Sequence, residues 1–226
     1  MIFWIILFAV IVFISFLLAL RSMADFEESP IEKKHQYSLF LIRNSQFLNK
    51  VILDSIHELI LKDGLLISLE RLIKGGESAL VIYGPQEILR NFEVLNFLEL
   101  EDYTGIDQVA LQAWEIGVRK QEKIESIGSF FKSLPRLSGN EQLWWQLVLK
   151  AENSPGENKF FQGQIRLVTS SASPEIKNGA ANGLTKVPKP FTKEQVIGFY
   201  QKRSFIQNKY NPILGSKAVL ELLALV

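Results

Sequence analysis

Hydrophobic residues are most concentrated near the start of the chain, where residues 2–20 include no charged side chain. A helix of that length would measure about 28 Å, close to the roughly 30 Å of hydrocarbon in a bilayer. A cleaved signal peptide is the alternative, but signal peptides carry a basic segment ahead of a shorter apolar run. No Lys or Arg precedes Ile2. The pattern therefore predicts a transmembrane anchor over residues 1–21.

The nearest basic residues indicate how this anchor would be oriented. Arg21, Lys33 and Lys34 all follow the apolar run. Because Lys and Arg close to a span are usually retained on the cytoplasmic side, we expect a single-pass protein of the cell membrane with its larger part in the cytoplasm. The lipid bilayer would be its first partner, and residues 22–36 would form a polar connector.

Beyond the connector, the hydrophobic pattern changes between the periods of a strand and of a helix. Strands are predicted over residues 37–42, 65–73, 78–83 and 98–103. A helix is predicted over residues 46–61, where apolar residues recur every four positions, and a second from residue 84 to about residue 97. The resulting order, βαββαβ, is that of the ferredoxin-like split motif. We assign it to residues 37–107.

The order of elements then begins again, which predicts a second ferredoxin-like half over residues 108–226. Its strands and helices are predicted over residues 108–118, 122–134, 142–150, 160–169 and 192–206. Residues 170–190 are rich in Ser, Ala, Gly, Asn and Pro, and we expect a mobile insert there. In the strand over residues 142–150, alternation places Trp145 and Trp144 on opposite faces. The predicted fold class is α+β: an N-terminal transmembrane helix followed by two ferredoxin-like halves with antiparallel sheets.

Composition removes several kinds of chemistry. The chain has no cysteine, which excludes disulfides, thiolate zinc sites and a thiol nucleophile. Its formal net charge is +1. Its glycines do not match the spacing of a phosphate-binding loop. His57 lies on a predicted helix with Asp54 three residues earlier and Glu58 beside it. A metal site would need a third ligand from elsewhere in the chain, which favours a solvent-facing or capped histidine over a metal ligand. We therefore predict a non-catalytic protein with no metal and no cofactor.

Four acidic residues cluster around the end of the strand predicted over residues 98–103. They are Glu99, Glu101, Asp102 and Asp107. Carboxylates at such spacing could hold a divalent cation. Charged residues also protect a sheet edge from pairing with another chain, and this second interpretation is favoured.

The segment from residue 186 to residue 226 carries seven basic and two acidic residues, with aromatic residues interleaved. Such a composition suits single-stranded nucleic acid or lipid head groups. An amphipathic helix with a solvated basic face is the favoured alternative. The candidate contacts to nucleic acid or to a partner are Lys193, Lys202, Arg203 and Lys209.

The last predicted segment, residues 216–226, has only two charged residues. It has too many apolar residues for one helix face, so it must bury most of its circumference within its own domain or against another protein. The candidate docking residues are Leu220, Leu222, Leu223 and Leu225.

Several motifs together resemble a known group of proteins. They include LELEDYTG at residues 98–105, EQLWWQLVLK at residues 141–150 and KFFQGQIRLVTS at residues 159–170. The chain is similar to an uncharacterised membrane-anchored domain family of ultra-small bacteria, which resembles in plan the N-terminal, pre-ATPase region of conjugation and type IV secretion ATPases. The resemblance implies no catalytic residue in this chain and a separate motor ATPase as partner.

The sequence thus predicts a membrane-anchored, non-catalytic assembly or docking module of a secretion-like or DNA-transfer-like envelope complex. The alternative is a membrane-tethered nucleic-acid-binding protein that uses its basic C-terminal segment.

Overall fold

The computed structural model describes most of the chain beyond residue 34. The described residues are 12, 13, 15, 27, 28, 35–105, 111–117, 137, 139, 141–153, 156, 158–170, 191–208 and 211–224. The predicted helix over residues 122–134, the boundary at residue 107 and most of the insert at residues 170–190 lie outside them.

Ten strands form two sheets in the described part. The strands are β1 (Glu27–Glu28), β2 (Tyr37–Ile42), β3 (Leu66–Lys74), β4 (Glu77–Pro85), β5 (Phe97–Leu100), β6 (Gln112–Ile116), β7 (Gln142–Glu152), β8 (Phe160–Thr169), β9 (Ile206–Gln207) and β10 (Ile213–Gly215). The main sheet has eight strands in the order β10-β8-β7-β3-β4-β2-β5, and β6 pairs with β8 beside β10. β1 pairs with β9 alone. Every described pairing is antiparallel.

Four α-helices accompany the sheet in the described residues: α1 (Lys50–Asp63), α2 (Gln86–Leu89), α3 (Lys193–Lys202) and α4 (Ser216–Ala224). α1 begins later than predicted because Asn49 is its N-cap, accepting a hydrogen bond from the Ile52 amide at 3.1 Å. The predicted start is instead a 3-10 turn at Ser45–Phe47. α1 ends where predicted, at Gly64, whose φ of 66° is the left-handed conformation that glycine adopts without strain.

The two faces of the main sheet are covered by different helices. On the first face, α1 and α4 bury Leu53, Ile56 and Val219 against strand residues that include Trp145. On the second face, α3 packs on Trp144. The predicted placement of the two tryptophans on opposite faces is therefore confirmed, because successive strand residues point to opposite sides.

The predicted fold class is wrong, because the described strands of the two halves, apart from β9, belong to one sheet. β3 and β7 pair over nine consecutive residues, Leu66–Lys74 with Gln142–Lys150. In addition, α3 and α4, which both belong to the predicted second half, lie on opposite faces of the sheet, whereas a ferredoxin-like half carries its helices on one face. The order of elements along the chain could not reveal this pairing. The pairing of β3 with β7 provides hydrogen-bond partners for backbone groups that two separate sheets would leave unpaired at their edges.

The predicted membrane anchor is also corrected. The longest described helix, α1, has 14 residues, or about 21 Å. None of the helices in the described part of the chain is both long and apolar enough to cross a membrane. The single-pass membrane assignment, with its cytoplasmic orientation, is accordingly not supported. Of residues 2–20, the structure describes Val12, Phe13 and Ser15, all in helical conformation.

Candidate functional site

A row of four buried polar residues crosses the second face of the sheet. Glu70 on β3 is the direct cross-strand partner of Gln146 on β7, which is paired in turn with Arg166 on β8. Glu115 on β6 is paired with Arg166 from the other side. All four residues are at most 6% exposed. This charged row is unusual, since charged side chains are seldom fully buried unless they are paired.

Arg166 and Gln146 attach the end of α3 to the sheet. The Arg166 guanidinium donates to the Gln146 amide oxygen at 2.8 Å and to the carbonyl oxygens of Phe199 at 3.3 Å and Ser204 at 2.5 Å. The Gln146 amide donates to the Tyr200 carbonyl at 3.0 Å. The last carbonyls of a helix lack partners within the helix and carry partial negative charge, so a cation there is favourable.

Arg203 occupies the C-cap position of α3 and turns its side chain into the same row. Its φ of 52° lies in the left-handed region, which is uncommon for a residue with a Cβ. Its Nε donates to Glu70 at 2.8 Å, and its two Nη atoms donate to Asp102 at 2.9 and 3.3 Å. The guanidinium also lies over the ring of Tyr83, 4.6 Å from its centroid. Burial alone would lower the pKa of Arg203, but Glu70 and Asp102 together raise it above its ordinary value.

Two acidic residues near opposite ends of the row, Asp102 beside Arg203 and Glu115 beside Arg166, have pKa values shifted in opposite directions. Burial opposes ionisation of Asp102, but the hydrogen bonds from Arg203 and Thr104 outweigh it and hold its pKa below the ordinary value. Burial raises the pKa of Glu115, against a hydrogen bond from Gln164 and the charge of Arg166. The Gln164 amide donates to Glu115 at 2.5 Å.

This arrangement stabilises the fold and offers little to a substrate. The carboxylate of Glu70 accepts hydrogen bonds from Arg203, Gln146, Ser68 and Tyr103, so its acceptor sites are already used. Among the described residues, no three His, Asp or Glu side chains are grouped in a way that could hold a metal ion. We therefore interpret the row as the attachment of α3 to the sheet.

A cleft of about 310 Å³ adjoins the row on the second face. Its floor and walls include Leu72, Trp144, Ala79 and Tyr103, and Lys74 and Glu77 lie at its rim. Trp144 is only 3% exposed, so the cleft offers side-chain edges rather than an open aromatic surface.

The predicted basic contacts are not brought together as one surface. Lys202 is exposed and Lys193 is half-buried, both on α3. Arg203 is 3% exposed and paired with two carboxylates, so it cannot also contact a phosphate. Lys209 lies outside the described residues. Arg203 therefore does not support the nucleic-acid alternative.

The predicted docking leucines pack within the chain itself. Leu222 and Leu223 are buried in the core of the first face, and Leu220 is partly buried against it. Leu225 is outside the described residues. These leucines fill the core, where α4 contacts α1.

His57 is buried on the first face and is therefore not solvent-facing. Its Nε2 lies 2.8 Å from the carbonyl oxygen of Phe160, to which it donates, and its ring meets Phe161 edge to face. Among the predicted acids, Asp102 is bound by Arg203 and Glu99 and Glu101 are exposed, while Asp107 is not described.

Several exposed apolar side chains lie around the β5 end of the main sheet. Beyond residue 35 the described residues include six exposed large apolar side chains, and four of them come from segments 47–51 and 93–98. They are Phe47, Val51, Val94 and Leu98, which we call the β5 margin. The 3-10 turns at Ser45–Phe47 and Glu93–Leu95 contact each other, and the Asn44 amide donates to the Val94 carbonyl at 3.2 Å.

β5 is also an edge strand in the described part of the chain, where it pairs with β2 alone. One side of its backbone is therefore left without a strand partner there. Exposed apolar side chains beside an unpaired strand edge are a frequent feature of protein-binding surfaces.

No protein-family model matches this chain, and a search of characterised proteins finds none that is similar to it. The resemblance carried by LELEDYTG and EQLWWQLVLK therefore stays a prediction.

Proposed function

We propose that the chain is a non-catalytic docking module that binds a partner protein at the β5 margin. The single observation that carries the proposal is the concentration of exposed apolar side chains around the free edge of β5. A monomeric protein rarely leaves such side chains grouped unless they contact something.

An extended segment of the partner is the occupant that fits this edge best. A strand added beside β5 would receive backbone hydrogen bonds along its length, while Leu98 and the neighbouring margin residues would contact its side chains. β5 has only four residues, so the backbone contribution is small and the apolar contacts must supply much of the specificity.

The resemblance to the pre-ATPase region of conjugation and type IV secretion ATPases suggests which partner to test. On this proposal the partner is a separate motor ATPase of a secretion-like or DNA-transfer-like complex, and the chain assembles beside it. The charged row under α3 would serve only to attach that helix to the sheet.

The proposal is tested with charge substitutions at the margin and a matched control. Leu98→Glu and Val94→Glu should reduce co-purification of the motor ATPase with the tagged chain at least about ten-fold, since a charge in an apolar contact costs more than 1.4 kcal/mol. Ile213→Glu is the control, because Ile213 is 54% exposed at the opposite end of the sheet.

Thermal melts of the three variants should stay close to that of the unchanged chain. If the margin variants keep the ATPase bound, or if Ile213→Glu releases it equally, the β5 margin is not the docking surface.

A further inference from the structure

The segment that follows β5 leaves the edge of the sheet and crosses its second face. Leu100, at the end of β5, is paired with Leu39 on β2. Three residues later, the Tyr103 hydroxyl donates to Glu70 on β3. In the sheet, β4 lies between β2 and β3. We call residues 101–105 the strap, because they pass over β2 and β4.

Two contacts fix the strap to the end of α3. Asp102 is held by both Nη atoms of Arg203, and the Thr104 carbonyl accepts from the Gln201 amide at 2.9 Å. Within the strap, the Thr104 amide and hydroxyl both donate to Asp102, at 2.9 and 2.8 Å. Asp102 thus accepts hydrogen bonds both from within the strap and from Arg203.

The two ion pairs of Arg203 differ in their access to solvent. The Glu70 side chain is fully buried and the Arg203 side chain is 2% exposed, whereas the Asp102 side chain is 56% exposed. An exposed pair is weakened by water and salt, while a buried pair is costly to break. The Asp102 contact is therefore the one that opens more readily.

We propose that the strap is a releasable cover on the second face, held shut by the charge of Asp102 on Arg203. Release moves Tyr103, which forms part of the wall of the 310 Å³ cleft, and so widens that cleft. Arg203 remains on Glu70 during release, and Arg166 keeps α3 in place. The proposal is independent of docking at the β5 margin.

The same geometry connects α3 to the strap. Arg203 forms this connection, because it is the C-cap residue of α3 and donates to Asp102 in the strap. The groups that face Asp102 are Arg203 from the end of α3, Tyr83 from β4 and Thr104 within the strap. Arg203 is the sole cation among these groups in the described part.

Hydrogen exchange of the full chain, followed by mass spectrometry, tests the proposal. Asp102→Asn keeps an acceptor for the Thr104 amide and removes the charge. It should raise the exchange rate of residues 101–105 about three- to ten-fold, with no change in α1. Glu101→Gln, at an exposed neighbouring position, is the matched control and should leave the strap protected.

A second variant separates the strap from the rest of the fold. Arg203→Lys retains a cation but loses the two-pronged contact, so the strap should again exchange faster while α1 does not. The proposal is overturned if Asp102→Asn leaves residues 101–105 unchanged. It is also overturned if exchange rises equally in α1, since the whole fold would then have loosened.

Discussion

The two faces of the main sheet are both covered by helices, but the chemistry of the two contacts is opposite. The first face buries a continuous apolar core in which Trp145, Leu147 and Ile56 are fully inaccessible. The second face is crossed by the charged row that links Glu70 to Arg166 under α3. An apolar face holds its helices without needing particular partners, whereas the charged face specifies where α3 must end.

This difference has an energetic consequence. Apolar burial contributes in proportion to area, so the first face should lose stability gradually as side chains are truncated. A buried ion pair contributes little over a well-packed apolar pair, but its loss on one side leaves an uncompensated charge. On the second face, single substitutions in the charged row should therefore lower the free energy of unfolding strongly, whereas substitution of both partners should lower it less.

The largest effect is expected from breaking the charged row on one side. Glu70→Leu leaves Arg203 buried without its inner partner and should lower the free energy of unfolding by about 3 to 5 kcal/mol. Glu101→Gln should change it by less than about 0.5 kcal/mol. Urea unfolding of both variants measures the difference, and a loss below 1 kcal/mol for Glu70→Leu would mean that water reaches the row.

Truncation of the two tryptophans compares the faces directly. Trp145→Ala and Trp144→Ala should each cost roughly 3 to 5 kcal/mol, as large-to-small changes in a closed core do. Thermal unfolding provides the measurement. A large loss for Trp145→Ala with a small one for Trp144→Ala would contradict the closure of the second face.

A double-mutant cycle sharpens the same comparison. Glu70→Leu combined with Arg203→Leu should be less destabilising than the sum of the two single variants, by about 1 to 3 kcal/mol. The cycle is measured by urea unfolding of all four proteins. Additive losses would indicate that the two side chains do not depend on each other.

Removal of a helix N-cap side chain should lower the free energy of unfolding by a smaller amount, equal on the two faces. Asn49→Ala at α1 and Thr192→Ala at α3 should each cost about 1 kcal/mol. Thr192 forms a reciprocal capping box with Gln195, and Asn49 accepts from the Ile52 amide. Thermal unfolding should show similar losses; no loss for Thr192→Ala would mean that α3 is held by the charged row alone.

The smallest effect is the pH dependence that Asp102 contributes. Its folded-state pKa is lowered, so its charge stabilises the fold at pH values above its ordinary pKa of about 3.9. That contribution is lost as the pH falls through the folded-state pKa. Because Asp102 is half exposed, we expect less than about 1 kcal/mol.

The measurement compares unfolding free energies of the unchanged chain and Asp102→Asn between pH 7 and pH 3. The difference between the two proteins should shrink as the pH falls. Equal pH dependence in both would contradict the assigned contact.

The sequence predicted much of the local structure on the first face. Alternation in residues 142–150 located β7 and separated Trp145 from Trp144, and Gly64 marked the end of α1. These features are local, because they depend on residues within one strand or one helix turn. The pairing of β3 with β7 is not local, and no pattern within either strand specifies it.

The charged row was missed for the same reason. Glu70 and Gln146 each occupy a position that alternation assigns to the face away from the core, where a polar residue indicates solvent. Only the register places them side by side under α3. A polar residue flanked by apolar residues on the same face of a strand was the available signal, as Gln146 is by Trp144 and Val148. This signal becomes specific only once the strand order is known.

Photo-crosslinking in the cell distinguishes most directly between a partner protein at the β5 margin and a nucleic acid at Lys202 of α3. A photoreactive residue is placed at Leu98 in one protein and at Lys202 in another, and the adducts are identified by mass spectrometry. Docking at the margin predicts adducts with a motor ATPase from Leu98 and none with that protein from Lys202. Nucleic-acid adducts from Lys202, together with no protein adduct from Leu98, would contradict it.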